Sequence, residues 1–282
     1  MALASRGMGK TNMNTENTPA WPSKKNLFGV QVSATRYHQV VRTVIAAAQR
    51  RQRGVVTFLP VHGIVTAAIN APYRGRVNQC DIVAPDGQPV RWALNFFHKS
   101  GLEDRVYGPE TMRRLCQKAA QAGVSIFLCG STPQVLDQLE ARLVEMFPGL
   151  QVAGKDSPPF RPITPQENDA LCERINRSGA ALVFIGLGCP RQEIFAHDNR
   201  EKIDAVQLCV GAAFDFHAGN KKMAPPILQR FGLEWVYRLT QEPRRLWKRY
   251  LVTNSIFIAL VIKDMFKGLG WLRRPAAQEP GT

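Results

Sequence analysis

Apolar positions along the chain follow two alternating periods. From Tyr37 they recur as Tyr37, Val40, Val41, Val44, Ile45 and Ala48, the spacing of one helix face, and the basic run RRQRG closes that helix. The continuous apolar run VVTFLPV (55–61) then predicts a buried strand. The alternation repeats down the chain. DIVAPDG (81–87) reads as a strand running into a turn, PETMRRLCQKAAQAG (109–123) as a helix with Pro at its start and Gly at its end, and VSIFLCG (124–130) as a strand. A helix from Gln134 to about Phe147 follows. Thr164-Pro-Gln-Glu167 combines a capping box with Pro at the first helical position and opens a helix to about Arg177. ALVFIG (181–186) is a strand, the segment after Pro190 a helix, and AVQLCVG (205–211) another strand.

Apolar strands separated by helices of this length call for a parallel sheet covered on both faces. The predicted fold class is α/β, a Rossmann-like and largely parallel sheet with helices on both faces and a C-terminal helical appendage. Residues 1–23 are polar, aperiodic and rich in Gly, Asn, Thr and Pro, the composition of a disordered tail, with order expected from near Leu27. Residues 24–236 form the α/β body. After FDFHAGN (214–220), read as loop, only helical patterns remain, and a division near Trp235 to Tyr237 sets off an appendage over 237–282. No internal repeat is present.

Composition adds a direction. Of 282 residues, 45% are hydrophobic, enough for an ordinary core, and 37 Lys+Arg against 22 Asp+Glu give a net charge of +15. Such a balance favours an anionic partner. From Arg238 onward nine Lys/Arg face three acids, which makes the appendage the expected contact with an anionic surface. The six cysteines form no Cys-x-x-Cys pair and mostly fall in apolar runs, as reduced core thiols of a cytoplasmic protein do. No apolar region typical of a signal peptide follows Arg6 and Lys10. SIFIALVI (255–262) is too short for the roughly 20 apolar residues of a membrane span.

In open parallel sheets, ligands sit at the carboxyl ends of the strands, beside free helix N-termini. Four loops hold that place: PDGQP (85–89), GSTPQ from Gly130, GLGCPRQE (186–193) and GAAFDFHAGN (211–220). Gly186 and Gly188 permit close backbone approach to a phosphate, and Arg191, Gln192 and Glu193 line the rim, or the segment is simply a tight strand-to-helix turn. Asp86 is either an Asx turn residue or a carboxylate held at the ligand edge as a general base. Asp215 belongs to the loop architecture or accepts hydrogen bonds from a base or ribose. His62 and His217 are partly buried polar residues or site residues. No His-x-x-x-His or Asp-x-Asp offers a metal motif. Arg238, Arg244, Arg245, Lys248 and Arg249 form a solvated basic helix face, or they neutralise a pyrophosphate where no metal does.

Six segments, APDGQPV, RVYGPETM, FLCGSTPQV, LVFIGLGCPRQE, VGAAFDFHAGNKKMAPP and GLEWVYRLTQEPRR, stand in an order and spacing that resembles the WecG/TagA/CpsF family of bacterial glycosyltransferases, over roughly Leu27 to Arg249. The resemblance implies transfer of a sugar (N-acetylmannosamine, its uronic acid or glucose) from a UDP-sugar to a polyprenyl-diphosphate-linked sugar, in cell-surface or exopolysaccharide synthesis. It implies inversion, no metal and no cofactor, and an enzyme peripheral on the cytoplasmic face of the membrane through its appendage, free to form homo-oligomers. Asp86 then matches the catalytic base, Gln192 a residue beside the donor and Asp215 one near the uridine. Arg238 and Arg245 match arginines brought over the pyrophosphate, with Lys248 or Arg249 as a third cation. One departure lies in TFLPVHG, where Phe58 and Pro60 replace the Thr and Asn of many relatives, leaving Thr57 and His62 as the nearest polar substitutes.

Two other classes fit less well. A nucleic-acid-binding module needs basic residues along a groove with interleaved stacking aromatics, whereas the surplus here is concentrated in a tail with a strongly apolar segment. A nicotinamide-dependent oxidoreductase needs a third glycine where Arg191 stands.

Overall fold

The computed structural model describes residues 20–272. An antiparallel hairpin of β1 (Lys24–Leu27) and β2 (Val30–Ser33) leads into α1 (Tyr37–Gln49) and β3 (Gly54–Leu59). Next come α2 (Val61–Ile69), α3 (Ala71–Gln79), β4 (Ile82–Pro85), α4 (Gln88–His98) and α5 (Gly108–Ala122). Then β5 (Ile126–Gly130), α6 (Pro133–Met146), β6 (Val152–Asp156), α7 (Pro165–Arg177), β7 (Leu182–Gly186), α8 (Arg191–Asp198) and β8 (Val206–Cys209) complete the alternation. Four helices follow: α9 (Ala213–Ala218), α10 (Pro226–Arg230), α11 (Glu234–Gln241) and the long α12 (Pro243–Leu272).

Six strands, β3 to β8, form one fully parallel sheet in the order β4-β3-β8-β7-β5-β6. The sheet is Rossmann-like, as the alternating pattern requires. Because side chains alternate across each strand, Val56, Phe58, Leu128, Phe184 and Leu208 pack on one face with α1, α5, α6 and α9. Val55, Leu59, Val83, Phe127, Val183 and Ile185 pack on the other with the hairpin, α2, α4, α7 and α8. Connections from neighbouring β5 and β7 leave toward opposite faces, through α6 and α8, and those from neighbouring β3 and β8 do the same through α2 and α9. Such switch points open a crevice at the carboxyl edge of the sheet.

Capping fixes several boundaries. Thr164 accepts from the Glu167 N–H at 3.2 Å while Glu167 accepts from the Thr164 N–H at 2.8 Å, the capping box read in the sequence. Gly123 ends α5 in the left-handed region, at φ +63. Other boundaries differ from the reading. Strand β3 stops at Leu59, because Pro60 caps α2 and Val61 is already helical. FDFHAGN is largely helix, forming α9, not loop. The hairpin, α2, α3, α4 and β6 had no counterpart in the reading. Order begins before Leu27: β1 starts at Lys24, and Trp21 packs against the core with its ring over Gly54. The tail expected over 1–23 otherwise lies outside the described residues, as does the end of the appendage after 272.

The 236/237 division falls inside α11, so Glu234 and Arg238 ride on one helix. Helix α12 lies along α2 and buries Leu246, Thr253 and Phe257. The Phe257 ring meets Phe28 edge-on at 5.6 Å, and Phe28 meets Phe97 of α4 at 6.2 Å, so aromatic contacts tie the appendage to the hairpin and the body.

At the end of β5, Gly130 has φ +126, and a Cβ there would lie 2.7 Å from the Gly186 carbonyl carbon. Both strain and backbone contact oppose any side chain. Gly130→Ala is expected to lose about 1–3 kcal/mol, read as a lower midpoint in thermal or denaturant unfolding.

Candidate active site

The carboxyl edge of the sheet opens into a cleft of about 1800 Å³, walled on its far side by α11 and α12. The first turns of α2, α4, α6, α8 and α9 line it, and α2, α4 and α6 carry no acidic residue in the first turn. Their free N–H groups and positive dipole ends favour an anionic ligand.

Strand β4 delivers Asp86 to this edge. Its backbone N–H is held by the Leu59 carbonyl at 3.2 Å, and its Oδ2 accepts from the Gly108 N–H at 3.3 Å. Burial pushes its carboxyl up to about 6, with Arg105 pulling the other way. Nη1 of Arg105 lies 3.9 Å from Asp86 Oδ1 but 2.7 Å from Glu234 Oε2. Glu234 in turn pairs with Arg238 at 2.7 Å, and the Tyr107 hydroxyl accepts from Arg238 at 3.2 Å and donates to Glu234 at 3.3 Å. Burial works against the Glu234 charge, yet Arg238 and Arg105 outweigh it and hold its carboxyl below the usual range. The Arg105 guanidinium stacks 4.1 Å above the Tyr107 ring.

Beneath the cleft floor lies a second polar cluster. Thr57 donates to Glu193 Oε1 at 2.9 Å, Gln192 Nε2 to the same oxygen at 2.8 Å, and the Tyr73 hydroxyl to Glu193 Oε2 at 3.2 Å. Glu193 is fully buried, and burial raises its pKa despite these bonds. Nε2 of Gln192 also reaches the Cys209 carbonyl at 3.2 Å, which leaves the amide oxygen, buried in the cleft wall beside Gly211, without a partner. An acceptor fixed this way suits a hydroxyl or N–H of a bound sugar or base.

The residues expected at the site separate accordingly. Asp86, His62, Gly186, Gly188, Arg191, Gln192, Asp215, Arg238, Arg245 and Arg249 line the cleft. Thr57 and Glu193 do not; they lie under it, because Thr57 points to the α8 face of the sheet. Gly130 and Lys248 also stand outside it. Gly130 and Gly186 serve packing, since a Cβ at Gly186 would meet the Phe214 ring at 2.6 Å, whereas Gly188 at φ +78 has open space around it. Burial and nearby Arg249 lower the His62 pKa to about 4, so a neutral imidazole faces the cleft. Asp215 sits 3.5 Å from Lys221, which reaches Glu242 at 3.2 Å, and Glu242 also binds Arg245. His217 is buried against the Pro109 carbonyl at 2.8 Å, a structural role. Five cysteines are buried and all six are free; Cys189 lines the cleft behind a cis Cys189-Pro190 bond. Among the described residues, no group of three His, Cys, Asp or Glu is placed to hold a metal ion.

Arg105, Tyr107 and Glu234 were not singled out by the sequence, although they stand in RVYGPETM and GLEWVYR. A buried-looking Arg three residues before a helix start was the available signal.

A sheet edge that gathers a mostly buried carboxylate, several arginines and free helix N-termini suits transfer of a group away from an anionic carrier, the chemistry of a transferase. A model of the glycosyl transferase WecG/TagA/CpsF family matches residues 25–270, and the chain belongs to that family. It is a glycosyltransferase of cell-surface polysaccharide synthesis.

Two substitutions separate floor from rim. Glu193→Ala strands Thr57, Tyr73 and Gln192 together and is expected to cost about 3 kcal/mol or more in denaturant unfolding. Arg191→Ala, which loses only a surface bond to the Phe160 carbonyl, is expected to stay within about 0.5 kcal/mol.

Proposed function

We propose that this enzyme moves a sugar from a UDP-sugar to a polyprenyl-diphosphate-linked sugar by a single inverting displacement without metal, at the cytoplasmic surface of a membrane. The observation that carries the reading is Asp86, a mostly buried carboxylate with a raised pKa in the wall of a cleft that cationic side chains of the appendage close. Pockets for one small ligand run to about 300–1,000 Å³, so a cleft of about 1800 Å³ has room for donor and acceptor together.

In this reading Asp86 takes the proton of the acceptor hydroxyl as its oxygen attacks the anomeric carbon. The bond from that carbon to the β-phosphate oxygen breaks, and UDP leaves with the electron pair. Charge developing on the leaving diphosphate is met by Arg238, Arg245 and Arg249 and by the helix N-termini of the floor. The unpartnered oxygen of Gln192 holds a donor hydroxyl or N–H, and Asp215 lies toward the nucleoside. Neutral His62 stands where the acceptor sugar enters.

Exposed Trp247, Leu251 and Ile258 of α12 wall the cleft mouth, and Arg244, Arg245, Lys248 and Arg249 stand beside them, a composition that suits a lipid-linked acceptor and an anionic bilayer surface. Among the described residues no helix is long and apolar enough to cross a membrane.

Incubating the protein with UDP-sugars and a short-chain lipid-diphosphate acceptor, with product mass as readout, tests the reading directly. Asp86→Asn is expected to lower kcat about a hundred- to ten-thousandfold while UDP affinity stays within about threefold; undiminished turnover removes Asp86 from the role of base. The base must be ionised, so kcat/KM is expected to rise with pH through about 6 and level off above. Stability runs the other way. The folded pKa exceeds the ordinary carboxylate value, so the native state binds the extra proton and loses stability as pH rises from about 4 to about 6, by up to about 3 kcal/mol. Co-sedimentation with anionic vesicles is expected to fall at least several-fold in Trp247→Ala/Leu251→Ala; binding equal to the parent's counts against the surface assigned.

A further inference from the structure

Arg105 makes two strong contacts, and both come from the segment after the sheet. Its Nη2 donates to Gln229 Oε1 of α10 at 2.8 Å, and its Nη1 pairs with Glu234 Oε2 of α11 at 2.7 Å. The carboxylate on its own side of the cleft, Asp86, is left at 3.9 Å, beyond hydrogen-bond reach. Buried and stacked on the Tyr107 ring, Arg105 has few other places to go.

We propose that Arg105 is a positioning residue shared between Asp86 and Glu234, so that docking of α11 draws its guanidinium off Asp86 and makes that carboxylate a stronger base. The proposal rests on the reading of Asp86 as the base.

The groups that face Asp86 can be taken element by element. The loop before α5 contributes Arg105, which stabilises the ionised form. Helix α11 contributes Glu234, which opposes it, and Arg238, which favours it less than Arg105 does. The first turn of α5 contributes the Gly108 N–H, and the hydroxyls of Tyr37 and Tyr107 stand nearby, both neutral because burial pushes them far above the usual range. Asp104 is held by Gln88 and by the Arg105 N–H.

With α11 in place, the nearest full positive charge is committed elsewhere, and among the described residues the one direct hydrogen bond to the Asp86 carboxylate is the weak 3.3 Å donation from Gly108. Take Glu234 away and the guanidinium has a single carboxylate to pair with. A base held by a bidentate arginine is a poor proton acceptor. The appendage therefore does more than carry Arg238 over the diphosphate: its Glu234 keeps Arg105 from quenching the base. A helix that closes over bound substrates would deliver the counter-charge and raise the base at the same moment.

The test is the pH profile of kcat/KM for Glu234→Gln and Arg105→Gln beside the parent and Asp86→Asn. Glu234→Gln is expected to move the acid limb down by about one pH unit and to lower the plateau severalfold, since a weaker base accepts the proton less well. Arg105→Gln is expected to move the limb up by a similar amount, because Asp86 loses its nearest cation. Opposite shifts are a signature that loosened packing does not give, and either variant alone tests its own half. A fall in rate with no shift of the limb in either, or shifts of the same sign, overturns the proposal. Failure of the underlying reading looks different: Asp86→Asn then keeps its turnover and the parental acid limb.

Discussion

Four charged side chains, Asp86, Arg105, Glu234 and Arg238, meet in the wall of the cleft with much of their surface out of water. Removing an ion from water costs several kcal/mol unless a partner restores the loss; here Glu234 pairs with both Arg105 and Arg238, while Asp86 has Arg105 only at 3.9 Å. The set is neutral as a whole, two acids against two bases, drawn equally from the sheet body and from α11. That balance makes the appendage part of the site. If α11 lifts away, Arg105 and Asp86 face each other alone and Glu234 and Arg238 go back to solvent as a pair. Two arrangements of the same charges are thus each locally neutral, and the geometry of the wall depends on which of them holds.

The floor is built on a different principle. Thr57, Glu193, Gln192, Tyr73 and the Cys209 carbonyl bond to one another under the start of α8, all of them within the body. A buried network of this kind fixes side-chain orientation strongly, because each misplaced group would lose a bond it cannot recover from water. Gln192 is the member whose other end reaches the cleft. In the proposed reading, a floor that orients one amide serves recognition and a wall whose ion pairs exchange serves closure.

Much of this was legible beforehand, for definite reasons. The parallel sheet announces itself because strands buried on both faces, such as LVFIG, read as near-continuous apolar runs. The four ligand loops follow from the same fact, since the carboxyl ends of those strands have to turn somewhere. Polar residues inside such runs are harder to place. Thr57 and Glu193 sit beside site residues in sequence, yet alternation along β3 and the first turn of α8 direct them beneath the sheet, away from the ligand. Gly186 reads in sequence as a phosphate contact or as a tight turn, since glycine permits close approach; it lines the cleft, and a side chain there would also meet Phe214. Arg105 and Glu234 escaped because their meaning is relational: neither position is informative until the fold brings residues 129 apart in sequence within 2.7 Å.

Helix α12 adds a constraint on what the outer surface meets. Leu246, Thr253 and Phe257 recur at helical spacing and are buried on the body, while Trp247, Leu251, Ile258, Ile262 and Met265 recur at the same spacing on an adjoining stripe that the body leaves exposed. A surface helix normally turns a polar face outward, and this one turns a second apolar face. The cations Arg245, Lys248, Arg249 and Lys263 lie along its flank, an arrangement that would let them reach an anionic layer with the stripe below it, as the proposed membrane contact requires. Nucleic acid would use the cations and leave Leu251, Ile258 and Ile262 in water, whereas a bilayer interface uses both. The proposed acceptor has the same two parts, a charged diphosphate and a hydrocarbon chain, and the cleft opens between the cations and the stripe, so that in the proposed reading one surface would both draw the enzyme down and present its substrate in the orientation the site needs.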